Sequence, residues 1–190
     1  MAGGAQRMNH TIRRFEPTDR DRVATFVATL DEHDLLFLGR DLTHPRVIAA
    51  WLDAVAEGWI DSLIAEDLDA TDKAVVGTAA LVRDPLGWSA HVGEVRLLVS
   101  PDRRGAGLGR DLLEAIFAIA HGRGLAKLSA RMTPDQTGSV ALFESLGFRA
   151  EALLKDQVRG RDGHSHDLAI LSHDAARVAA QQKAFGVDET

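Results

Sequence analysis

The residues best suited to chemistry lie in one stretch, Gly93–Arg110 (GEVRLLVSPDRRGAGLGR). It reads as a strand, a short turn, a glycine-rich loop and the start of a helix. Gly105, Gly107 and Gly109 alternate, so successive backbone N–H groups can face one way with no side chain to keep a bulky anion at a distance. A helix N-terminus adds about half a positive charge, so a pyrophosphate is the natural guest. Arg103, Arg104 and Arg110 flank the loop as mobile countercharge. On the preceding strand, Glu94 alternates with Val95 and shares a face with Leu98, so its carboxylate need not point to solvent. A carboxylate so placed is a candidate for proton transfer. His91 is a second candidate base on the same strand.

Other phosphate loops fit poorly. A Walker loop needs Lys-Ser/Thr after its last glycine, and none follows. A dinucleotide fingerprint needs Gly-x-Gly-x-x-Gly after a first strand, whereas the spacing here is Gly-x-Gly-x-Gly and several strands precede it.

The elements that must position these groups can be read from the pattern. Thr11–Phe15 is a short strand, and Arg20–Leu30 a helix with Val23, Phe26, Val27 and Leu30 on one face. Asp31–His44 breaks the pattern as a loop or short helix, and Pro45 opens a helix running to about Glu57. Trp59–Ala65, Lys73–Val82 and His91–Val99 are strands. A helix spans Gly107 to His121, with Leu108, Leu112, Leu113 and Ile116 at helical spacing, and ends at Gly122 and Gly124. Ala126–Met132 is a strand and Thr137–Leu146 a helix stopped by Gly147. Phe148–Val158 and His164–Leu171 form a closing hairpin turned by Arg161–Asp162–Gly163. The layout is α/β (α+β): one mixed, mostly antiparallel sheet flanked by helices. Residues 1–10 read as a disordered leader, 11–172 as the domain, and 173–190 as a C-terminal helix (Asp174–Phe185) and tail.

Composition sets the bounds. With 190 residues, 45% hydrophobic and 26% charged, the chain can bury a core, which excludes disorder or low complexity as a description of the whole. A formal charge of −6 argues against a general nucleic-acid binder. No run approaches 18 apolar residues and no signal-peptide pattern opens the chain, so the expectation is a cytoplasmic protein with no membrane partner. There is no cysteine, hence no thiolate nucleophile or zinc-thiolate site. His164, His166 and Asp167 do not by themselves make a metal site, and none is expected.

Arg104-x-x-Gly107-x-Gly109 resembles the Arg/Gln-x-x-Gly-x-Gly/Ala signature of the GNAT superfamily of N-acetyltransferases. Phe143–Phe148 (FESLGF) resembles that family's helix-to-strand ending, and Val158–Ile170 (VRGRDGHSHDLAI) its closing hairpin. The order of elements is similar from Thr11 to Leu171, and Gly93–Gly109 is most similar to bacterial protein lysine acetyltransferase domains. The resemblance implies acetyl-CoA as acyl donor and a primary amine, small molecule or protein lysine, as acceptor. It implies Glu94 as general base and main-chain groups of Leu97 and Val99 on the pantetheine arm. It also implies that Arg104, Gly105, Ala106, Gly107, Leu108, Gly109 and Arg110 hold the pyrophosphate, with Gln136 and Phe143 beside the cofactor.

Two positions depart from the family. Relatives often use a Tyr to protonate the leaving thiolate; this chain has no Tyr, and Phe143 stands in that place. Gln136 stands where Asn is common. The departures leave open an alternative, a non-catalytic acyl-CoA sensor or interaction module using the same pocket. The acceptor is expected over the first helices and the closing hairpin, where Asp34, Asp41 and other acidic residues would suit a cationic amine. The terminal helix and the hairpin offer surfaces for a homodimer.

Overall fold

A computed structural model of the chain describes residues 9–175. Seven strands make one sheet: β1 (His10–Arg14), β2 (Ile60–Asp67), β3 (Val75–Val82), β4 (Val92–Val99), β5 (Lys127–Met132), β6 (Arg149–Arg159) and β7 (Ser165–Asp174). Their order is β1-β2-β3-β4-β5-β7-β6. Only β4 and β5 pair in parallel; every other neighbouring pair is antiparallel. The helices are α1 (Arg20–Ala28), α2 (Glu32–Leu35), α3 (Pro45–Ala56), α4 (Leu108–Gly122) and α5 (Thr137–Ser145). This is the mixed, mostly antiparallel sheet with flanking helices that the pattern predicts.

Alternation along the strands splits the interior into two cores. One face carries Leu63, Ala79, Leu81 and Val95 against α4, whose Leu108, Leu112, Leu113 and Ile116 are wholly buried. The other carries Ile64, Ala80 and Leu98 against α1 and α3, with Phe15 stacked on Trp51 at 5.3 Å. Crossover helix α4 lies between the two parallel strands, as such a connection requires.

Local signals explain the boundaries. Pro45 opens α3, and the His44 imidazole accepts the Arg46 N–H at 3.2 Å. The irregular Asp31–His44 stretch resolves into α2 and one 3-10 turn, Leu36–Leu38, which Gly39 ends with φ of +69°. Gly147, at φ +91°, stops α5, and the Phe148 N–H donates to the Phe143 carbonyl at 3.1 Å.

The closing strand is longer than the pattern suggests, reaching Asp174 because it pairs with β5 through Lys127. His10 belongs to β1, opposite Asp67, rather than to a leader. The rest of the expected leader (1–8) and of the expected terminal helix (from 176) lies outside the described residues. Among the described residues, no helix is long and apolar enough to cross a membrane.

Candidate active site

The sheet is split at its centre. β4 and β5 pair from Val92↔Lys127 to Val95↔Ala130 and no further. Both strands continue, β4 held by β3 as far as Val99↔Gly77 and β5 by β7 as far as Met132↔Ala169. A wedge opens between them, which leaves main-chain groups of β4 beyond Val95 without a strand partner on that side. The wedge widens into a cleft of about 530 Å³ walled by Leu97 and Val99, the loop from Arg104 to Arg110, the start of α5, and Asp34 and Phe37.

The loop takes the shape its glycines allow. Gly105 (φ +77°) and Gly107 (φ +93°) are left-handed, and Gly107 is the N-cap of α4. A Cβ at either would meet nothing within 4 Å, so backbone conformation and an open approach, not packing, call for glycine. Gly109 has a different reason: a Cβ there would sit 3.0 Å from Leu142 Cδ2. Among the described residues, no turn or cap carbonyl accepts the N–H groups of Gly105 through Gly109; the first turn-closing bonds come from Arg110 and Asp111 to Gly107. The start of α4 therefore carries unbonded amides beside the cleft, which Gly105, Gly107 and Gly109 line. Leu108 itself is buried in the core and contributes only backbone, and Ala106 does not line the cleft.

The three loop arginines part company. Arg103 turns away and pairs with buried Asp67 at 2.6 Å, so it is structural rather than mobile countercharge. Arg104 crosses the cleft mouth: Nη2 meets Asp34 at 2.7 Å and Nε donates to the Val99 carbonyl at 3.2 Å. Arg110 donates to Ser145 Oγ at 2.8 Å and lines the cleft.

At the inner end, Gln136 and Ser139 border both the cleft and a small hollow that reaches Val95, Arg131, Met132 and Phe143. Gln136 Nε2 donates to the His33 carbonyl at 3.4 Å. Phe143 is almost fully buried, edge-on to Phe148 at 5.0 Å. Glu94 lies on the opposite face of β4 from Val95, largely buried, with Arg96 Nε donating to Oε1 at 2.7 Å and Arg131 Nη2 at 3.2 Å from Oε2. An ionised carboxylate has about four acceptor sites, so two guanidinium contacts leave room for a further donor. His91 is exposed at the head of β4, at the end away from the cleft.

Segment 31–44 ties together α5's approach, the glycine loop and the closing hairpin. His33 Nε2 lies 3.0 Å from Asp135 and 3.1 Å from Thr133 Oγ1, and its ring meets His166 edge-on at 5.3 Å. Glu32 accepts the Arg161 N–H at 2.5 Å, and Asp41 pairs with the Arg161 side chain at 2.5 Å. The Thr43 hydroxyl and Arg161 hold the Asp41 carboxyl down at about 2. Asp167 stays within the hairpin, 2.5 Å from Lys155 Nζ. The carboxylates read in sequence as an acceptor funnel are thus already paired: Asp34 with Arg104 and Asp41 with Arg161. Phe37, Asp135 and Leu142 also line the cleft, without any local sequence signal; their spacing along the chain matches no periodicity that would group them.

A model of the acetyltransferase (GNAT) family matches residues 26–148, about two thirds of the chain and all of the cleft. The chain belongs to this family. Among curated relatives, 63 residues are 41% identical to a mycothiol acetyltransferase of Thermobispora bispora, covering 33% of this chain and 21% of that one. A further match, 34% identical over 76 residues, is to the [ribosomal protein bS18]-alanine N-acetyltransferase of Escherichia coli K12, covering 40% of this chain and 51% of that one. The matched segments therefore span about half or less of those relatives. A spermidine N-acetyltransferase from Vibrio cholerae, solved in complex with CoA and spermine, superposes with a TM-score of 0.72 at 15% identity, covering 90% of this chain and 98% of that one. At that identity the likeness is one of fold. This member of the family has its glycine loop at a helix N-terminus and a split between its two parallel strands.

Proposed function

We propose that this GNAT chain is an acetyl-CoA-dependent N-acetyltransferase that acts on a primary amine by direct transfer. The observation that carries the reading is the set of unbonded amides from Gly105 to Gly109, at the N-terminus of α4, facing a cleft that narrows into the β4–β5 wedge. A diphosphate fits there because nothing would obstruct it at Gly105 or Gly107, and the helix end favours negative charge. The main chain of Leu97 and Val99 would take the pantetheine amides, and Gln136 and Phe143 would flank the arm. Bound there, acetyl-CoA supplies a thioester whose acetyl group can pass to nitrogen.

Glu94 serves as the base. A lysine-type amine, with a pKa near 10.4, is protonated at neutral pH and must lose a proton before it attacks. Glu94, directly or through water, takes that proton first; the neutral amine then attacks, so that the N–C bond forms and the C–S bond breaks. The sulfur leaves as thiolate; thiols have a pKa of about 8.5, so departure needs no strong acid, and Phe143 cannot provide one. The second proton, lost from the nitrogen as the amide forms, passes to the thiolate, with water or Ser139 at the inner end of the cleft as relay.

Release of free thiol with acetyl-CoA and a panel of amines tests this. Glu94→Gln should lower turnover by about 10²–10⁴-fold while coenzyme A still binds. Unchanged turnover would remove Glu94 from the mechanism. Tight coenzyme A binding with no turnover on any amine would favour the sensor reading instead.

A further inference from the structure

A second cavity, of about 240 Å³, lies on the other face of the sheet, between α3 and strands β2 to β4. It touches the cofactor cleft through Leu98, which lines both. Its floor is made of small residues where the strands cross. Thr78 sits opposite Leu98, and Ala80 opposite Arg96. Thr78 turns its hydroxyl to the Leu63 carbonyl at 2.8 Å and so leaves its methyl to the cavity. Trp51, Leu38, Leu42 and Ala54 make the remaining wall apolar.

All the charge on this wall is positive. Arg40, Arg83 and Arg96 line it, and no carboxylate does. Their donors are only partly used. Arg96 gives Nε to Glu94, but among the described residues its two terminal nitrogens have no partner. Arg40 is exposed, and among the described residues it has no ion pair. Arg83 gives Nη2 to the Gly58 carbonyl at 2.5 Å and lies 3.5 Å from Asp61, yet its Nε is buried with no partner among the described residues. A buried donor without a partner is uncommon in a native protein and calls for an acceptor. Guanidinium groups suit a carboxylate, which they bind in a fork.

We propose that this cavity is the acceptor site and that the acceptor is an α-amino acid with an apolar or aromatic side chain, its carboxylate held by Arg96 and Arg40. The proposal rests on the acetyltransferase reading and narrows it. In an α-amino acid the amine and carboxylate are borne on one carbon. Arg96, bonded to Glu94, would therefore bring the amine beside the base by gripping its neighbour. The side chain would occupy the space over Ala80 and Thr78. Spermidine and lysine side chains, which bring further positive charge or a long stem without an anion, would face three arginines.

The test uses the full chain with acetyl-CoA and four amines: L-phenylalanine, phenethylamine, spermidine, and a peptide amide beginning with alanine. L-phenylalanine should be acetylated with kcat/KM about tenfold or more above phenethylamine, which differs by the carboxylate alone. Arg40→Gln should raise KM for L-phenylalanine and leave that for phenethylamine and for acetyl-CoA unchanged. Equal or better rates with phenethylamine, spermidine or the peptide would overturn the proposal while leaving the acetyltransferase reading intact. A readout without turnover separates the two. Calorimetry on protein saturated with coenzyme A should show N-acetyl-L-phenylalanine binding about tenfold or more tighter than N-acetylphenethylamine. Equal affinities would sink the anion site even if no amine reacts.

Discussion

Asp34 and Arg104, seventy residues apart in the chain, meet at 2.7 Å across the mouth of the cofactor cleft. The same guanidinium holds the Val99 carbonyl, a group that the pantetheine arm would need. In the proposed complex the pair would therefore compete with both the diphosphate and the pantetheine arm. It is also half exposed, which limits its strength to about 0.2–1 kcal/mol.

Asp34→Asn should consequently tighten coenzyme A binding by about two- to fivefold, the gain from freeing a cation for the diphosphate. Arg104→Ala should weaken it by about tenfold. Calorimetry decides. Weaker binding in Asp34→Asn would mean that the pair closes over the bound molecule instead of competing with it.

Two glycines separate binding from packing. Gly107 is left-handed with free space around it, so Gly107→Ala should cost about 1–2 kcal/mol through its backbone and also weaken coenzyme A. At Gly93 a Cβ would lie 2.6 Å from Leu81 Cδ1 and 2.7 Å from Leu125 Cδ1. Gly93→Ala should cost about 1–3 kcal/mol by overpacking and leave coenzyme A affinity as it was. Urea melts paired with calorimetry would show the contrast; equal losses of affinity would refute it.

His173 predicts a pH dependence. Burial against Phe117 and Phe148 pushes its imidazole below the ordinary histidine value, although Asp174 pulls the other way. Its Nδ1 is buried with no partner among the described residues. The unfolded chain takes up this proton near pH 6.5 and the folded chain only lower, so stability falls as the pH drops below about 6.5 and levels off beneath the folded value. His173→Phe should abolish that slope between about pH 7 and 5 in denaturant melts. A slope that persists would assign it to another group.

Asp61 is buried among three guanidiniums, from Arg14, Arg83 and Arg123. Burial favours its neutral form, but the bonds from Arg123 and Arg14 prevail and its pKa is lowered. Its contribution is therefore complete above about pH 4 and lost in stronger acid. Arg14 and Arg123 are largely wet and lose little without it. Arg83 is only 11% exposed, so Asp61→Ala should cost about 3 kcal/mol by stranding that charge. Thermal melts at neutral pH provide the measurement, and a loss below about 0.5 kcal/mol would show that water reaches Arg83.

Much of this was legible in the sequence because local physics decides it. Pro45, Gly124 and Gly147 mark helix ends wherever they occur, and alternating Val95 and Leu97 must face one core. The glycine loop declared itself by spacing alone. What escaped depends on partners remote in the chain. Arg103, Arg104 and Arg110 look alike in sequence, yet one finds Asp67, one Asp34 and one Ser145. Nothing local says that Asp34 and Asp41 are already paired, so an acidic funnel was the natural expectation. Nor could Ala80 announce a hollow, since an alanine inside a strand usually means only close packing.

That hollow has a wider consequence. A sheet face left open where Thr78 and Ala80 meet α3 forgoes contacts that a valine or leucine would supply. Heat tolerance alone would select for plugging it. A chain with Ala80→Val could thus melt later and work worse, and the missing methyl groups can be understood as room reserved for a visitor.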